Sequence, residues 1–102
     1  MTSREIAENF IKRMNPSMWA GVGRKPDDFD TRIVTYEINK DTELDISYEY
    51  DDDYGWYVCY ELRDKVDGEL LDITTENDVL NSVESMSRDI KYFIESNSWL
   101  NV

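Results

Sequence analysis

The chain has no histidine and a single cysteine, Cys59. The first absence removes the side chain that most often serves as general base or metal ligand near neutral pH, leaving Asp, Glu, Tyr and Lys for any proton transfer. The second rules out an intramolecular disulfide and a thiolate metal cluster within one chain, and favours a reducing compartment. No apolar run approaches the roughly 20 residues that cross a bilayer, and the N-terminal MTSREIAENF lacks the charged-then-apolar layout of a secretory signal. These absences lead us to expect an intracellular, cytoplasmic protein, in the host cytoplasm if the source is viral. Bases are scarce too: 11 Lys and Arg stand against 23 Asp and Glu, for a formal net charge of −12. Such a charge repels nucleic acid and anionic membrane and favours basic partners, so neither direct DNA or RNA binding nor a membrane role is expected.

What is present argues for a folded domain. Three Trp, seven Tyr and three Phe among 102 residues supply large side chains for a core, and the length suits one domain over residues 1–102. Thr2 or Ser3 can cap a first helix, in which Ile6, Ala7, Phe10, Ile11 and Met14 recur on one face until Pro16 stops it near Asn15. Residues 15–30 hold both prolines and two of the four glycines without a sustained period, the mark of an irregular segment. Strict alternation then predicts strands. Leu44, Ile46, Tyr48 and Tyr50 alternate with Glu43, Asp45, Ser47 and Glu49; Val34, Tyr36 and Ile38 precede them in the same pattern, and Trp56, Val58, Tyr60 and Leu62 follow.

A fourth strand carrying Leu71 and Ile73 is expected after Asp67-Gly68, a dipeptide suited to a tight hairpin. Thr75, with Asp78 three residues on, can cap a second helix on which Val79, Leu80, Val83, Met86, Ile90, Phe93 and Ile94 share one face. The expected fold is α+β, in the order αββββα: an antiparallel four-stranded meander with both helices on its apolar side and water on the other.

Chemistry-bearing residues are few. Asp45, Glu49 and Glu61 are of the type that serve as paired acid and base in glycosidases, but a general acid needs burial around its carboxyl and their alternation places them on the solvent side; they read as a solvated strand face. Gly21 and Gly23 form a GxG without the strand and helix a phosphate loop needs. Asp51, Asp52 and Asp53 lack the alternate spacing of a calcium loop and read as a solvated turn. Cys59 falls on the wet face beside Tyr57, with no histidine to activate it, and reads as structural. Trp19, flanked by Arg24 and Lys25, and Trp99 could each anchor a partner or fold back on the core. No catalytic residue, cofactor or metal is expected.

The acidic pattern remains. Pairing Tyr50 with Trp56 across the second hairpin sets Glu49 beside Tyr57, Ser47 beside Cys59, Asp45 beside Glu61 and Glu43 beside Arg63; the same parity carried into the first hairpin sets Glu37 beside Asp45. Edged by Asp41, Asp51, Asp52 and Asp53 in the turns, this face carries seven acids and no base from Asp41 to Asp53. Between Asp27 and Asp78 there are eighteen acids and four bases. Carboxylates at alternate strand positions repeat every ~6.5 to 7 Å, close to the phosphate spacing of a nucleic-acid strand. In size, charge and element order the chain resembles the short acidic proteins that phages use against host defences, anti-CRISPR and anti-restriction proteins among them, and immunity proteins that neutralise nuclease toxins. The expectation is a binding protein that occupies the basic, nucleic-acid-binding surface of a partner, using Glu37, Asp41, Glu43, Asp45, Glu49, Asp51, Asp52, Asp53, Tyr57 and Glu61. The alternative is an interaction module or homodimer joined through apolar contacts, its acids serving solvation alone; an enzyme using carboxylates is a third reading.

Overall fold

The computed structural model describes residues 2–14, 32–51, 53, 55–76 and 82–97. The irregular segment with Trp19, and Asp52, Val79, Leu80, Trp99 and Leu100, lie outside the described residues. Helix α1 spans Ser3–Met14, strands β1 to β4 span Arg32–Asn39, Thr42–Asp51, Gly55–Asp64 and Leu70–Glu76, and helix α2 spans Val83–Ser96. The strands form one antiparallel sheet in the order β1-β2-β3-β4, the meander that the alternation predicts.

Local chemistry sets the helix ends. Thr2 Oγ1 accepts the Glu5 N–H while Glu5 Oε1 accepts the Thr2 N–H, so two donors that the first turn would leave unpaired are satisfied reciprocally. Helix α2 is capped by Ser82, whose Oγ accepts the Ser85 N–H, and it closes on Asn97, which donates its backbone N–H to Ile94 O and its amide to Phe93 O. The cap expected at Thr75 is not there: Thr75 pairs with Cys59 and Glu76 with Val58, so β4 runs through the position where a helix start was read. A β-branched threonine serves a sheet ladder as readily as a cap, and here the ladder takes it.

One face of the sheet joins both helices in a single core. Tyr36, Leu44, Ile46, Tyr48, Val58, Tyr60 and Leu62 pack with Ile6, Ala7 and Phe10 of α1 and Met86, Ile90 and Phe93 of α2, and the helices also contact each other. Tyr60 and Phe93 meet as tilted rings with centroids 6.3 Å apart. The Tyr36 hydroxyl donates to Asn9 Oδ1 at 2.7 Å, which ties β1 to α1.

Two bulges modify the expected registers. Ile38 is the extra residue in the first hairpin; together with the two-residue turn that pairs Asn39 with Thr42, it sets Glu37 opposite Glu43, not Asp45, and Asp45 opposite Thr35. In β4 the register shifts at Leu71, with Leu70 opposite Arg63 and Asp72 opposite Leu62; Leu71 packs on the core while Ile73 turns to the outer face. The β3–β4 connection is a loop of residues 65–69, longer than a two-residue turn. Gly68 takes its left-handed position, with φ of 74°.

Candidate interaction face

The registers arrange the outer face of the sheet in rows that cross the strands. One row runs Glu37, Glu43, Arg63, Leu70; the next Thr35, Asp45, Glu61, Ile73; the next Ile33, Ser47, Cys59, Thr75; beyond it Glu49 faces Tyr57 and Asp51 faces Gly55. The cross-strand pairs expected between β2 and β3 are all present. Acids thus flank an uncharged central row from both ends.

That central row departs from the expectation of a uniformly wet face. Ser47 is 7% exposed and Cys59 5%. Both side chains are short and hydrogen-bond to longer neighbours: Ser47 Oγ to Glu49 Oε2 at 3.4 Å and Cys59 Sγ to Glu61 Oε1 at 3.8 Å. Burial pushes the Cys59 thiol up to about 11, with the carboxylates of Glu61 and Glu49 adding to the shift. A thiol so placed is protonated and unreactive at neutral pH, in line with a structural role.

Cations are more involved than the alternation suggests. Arg63 stands opposite Glu43, yet its guanidinium reaches the diagonal instead: Nε lies 3.4 Å from Asp45 Oδ2, and Nη2 bonds Glu61. Asp45 also accepts the Thr35 hydroxyl at 2.7 Å. Lys65 Nζ lies 3.5 Å from Glu37 Oε1, which offsets part of the Glu37–Glu43 repulsion. Among the described residues, no cation lies within ion-pair distance of Glu43 or Glu49. The phenol of Tyr57 is raised above its usual range, chiefly by desolvation and then by its carboxylate neighbour Glu49, to which it hydrogen-bonds.

Of the residues expected to meet a partner, Glu37, Glu43, Asp45, Glu49, Asp51, Tyr57 and Glu61 share this one face. Asp41 and Asp53 do not join each other. They sit exposed in the turns at opposite ends of β2, roughly 30 Å apart at the usual strand rise, each using its backbone N–H to bond a turn side chain, Asn39 Oδ1 and Asp51 Oδ1 respectively. Among the described residues no group of three or more side chains is arranged to hold a metal ion, and no helix is long and apolar enough to cross a membrane. Sequence reasoning passed over the diagonal reach of Arg63, which strand parity alone does not encode, and the exposed Ile33 and Ile73 on the same face. No family model, curated protein or solved structure matches the chain.

Proposed function

We propose that this protein is a small acidic binding protein, without catalytic activity, that occupies the basic nucleic-acid-binding surface of a partner protein in the cytoplasm, as an inhibitor of the kind phages direct at host defences or as an immunity-type protein does. The observation that carries this reading is the outer sheet face, which gathers six carboxylates from Glu37, Glu43, Asp45, Glu49, Asp51 and Glu61 and one guanidinium, that of Arg63, which contacts Asp45 and Glu61. Adjacent strands lie about 4.8 Å apart and alternate residues ~6.5 to 7 Å apart, so the carboxylates form a two-dimensional array at spacings a phosphate-binding groove can engage. Like charges held together oppose folding, so their concentration on one face costs stability, a cost that a binding role accounts for.

The test compares immobilised wild type with a variant carrying Glu43→Gln, Glu49→Gln, Asp51→Asn and Asp53→Asn, which leaves the Arg63 cluster intact. Wild type should retain a nucleic-acid-binding protein that elutes at raised salt, and the variant should not. Equal retention would refute the reading. A second reading, self-association through an apolar strip, is favoured by the exposure of Val66, Leu70 and Ile73 along the β4 side; it predicts a mass that rises with concentration in light scattering.

A further inference from the structure

Among the described residues the sheet is open, so β1 and β4 each present an edge. Alternation fixes which backbone groups point outward. Asp64 donates its N–H to Glu69 O on the β4 side, and Lys65 donates to Asp41 O on the β2 side, so even residues of β3 bond toward β4 and odd ones toward β2. Carried through the registers, this turns the N–H and C=O of Ile33, Thr35 and Glu37 to the open side of β1, and those of Ile73 and Thr75 to the open side of β4.

The two edges differ. On β4 the Ile73 N–H already donates to Asp72 Oδ1 at 2.8 Å, and the bulge at Leu71 interrupts the ladder. An edge that is bulged and has its donor occupied resists strand addition. On β1, Ile33, Thr35 and Glu37 are all exposed, Ile33 at 65%, and among the described residues no acceptor beyond the ladder is bonded to their amides. The stretch is regular until Ile38 bulges.

The side chains along β1 select the occupant. On the outer side stands Glu37, with Glu43 and Asp45 one strand behind; on the core side stand the partly buried Val34 and Ile38. A second copy would bring like acids together at a net charge of −12 each. We propose that β1 accepts an extended segment of a basic partner as a fifth strand, with apolar residues on the core side beside Val34 and Lys or Arg on the outer side beside Glu37. Backbone hydrogen bonds supply the attachment, and the alternating side chains supply the selection. The basic character of the segment rests on the proposed function; the open edge does not.

The probe is a short peptide of alternating Arg and Val, followed by amide NMR on the intact protein. Binding should shift and protect the amides of Ile33, Thr35 and Glu37. The Thr35 N–H lies outside the β1–β2 ladder, so Thr35→Pro keeps those bonds and should weaken binding about tenfold, as loss of a backbone hydrogen bond and its geometry implies. Should that variant not fold, the same peptide N-methylated at alternate residues takes its place, with the same loss expected. Equal binding by both peptides to wild type, protection confined to β4 or the helices, or self-association protecting the same β1 amides would each overturn the proposal. A Glu49→Gln, Asp51→Asn and Asp53→Asn variant, which keeps Glu37, Glu43 and Asp45 beside β1, separates the two readings. If wild type and this variant both bind the peptide at β1 and retain the same proteins, the mimicry reading fails alone; if wild type alone retains a nucleic-acid-binding protein and neither binds the peptide, strand addition fails alone.

Discussion

Arg63 holds together a pairing that would otherwise oppose the sheet. Asp45 and Glu61 are directly opposite across β2 and β3, an arrangement that is destabilising for like charges, and the guanidinium contacts both. The cluster is partly exposed, so its worth is modest: Arg63→Met should lower stability in urea unfolding by about 1 kcal/mol, and adding Asp45→Asn should recover part of the loss. No recovery would mean that the arginine acts through its stem alone. Cys59 gives a second test at this scale. Its thiol should react slowly with iodoacetamide in the native protein and at the ordinary rate once unfolded. Because the fold raises the pKa of Cys59 from its usual 9.0 to about 11 and that of Tyr36 from 10.0 to about 12, largely by burial, the native state holds these protons more tightly than the unfolded chain. Their contribution to stability is complete below the ordinary values and is lost as pH rises through 9.0 to about 12, so the urea midpoint should fall across that window.

Elements were legible in the sequence wherever a period ran unbroken. Alternation from Glu43 to Tyr50 and from Trp56 to Leu62, with Tyr50 set opposite Trp56, gave the β2–β3 pairs that the sheet shows. It could not foresee the extra residue at Ile38 or the shift at Leu71, because a bulge leaves the residue types unchanged while moving everything beyond it. Thr75 misled for a related reason: a threonine followed by an acid three residues on satisfies a local helix-start pattern, whereas its pairing with Cys59 depends on the neighbouring strand β3, outside that local window. Two substitutions probe the element ends. Thr2→Ala removes one half of the reciprocal cap on α1 and should cost about 1 kcal/mol. Gly68→Ala meets no atom within 4 Å, yet at φ of 74° it should still cost about 1 kcal/mol, since the left-handed backbone alone disfavours a Cβ. Thermal or urea unfolding reads both, and an unchanged midpoint for Gly68→Ala would contradict the loop geometry.

At the scale of the whole molecule, function was less legible than fold. The αββββα order follows from patterns of apolar residues, but the partner proposed for the acidic face is a second molecule whose chemistry the chain could encode only as a complement. Charge is segregated along the chain, with eighteen acids and four bases between Asp27 and Asp78. Crowding of that kind should make the fold more stable as sodium chloride is raised through the physiological range, because repulsion within the face is screened. A melting temperature that falls with salt would show that ion pairs such as Arg63 with Asp45 and Glu61 outweigh the repulsion.

Mutual exclusion on the captured partner tests the proposed function. With that partner held on a surface and saturated with this protein, an oligonucleotide it binds should displace the protein in proportion to its own affinity, and the protein should displace the oligonucleotide in the reverse experiment. A stable ternary complex, with both ligands bound at once, would show that the protein does not occupy the nucleic-acid-binding surface.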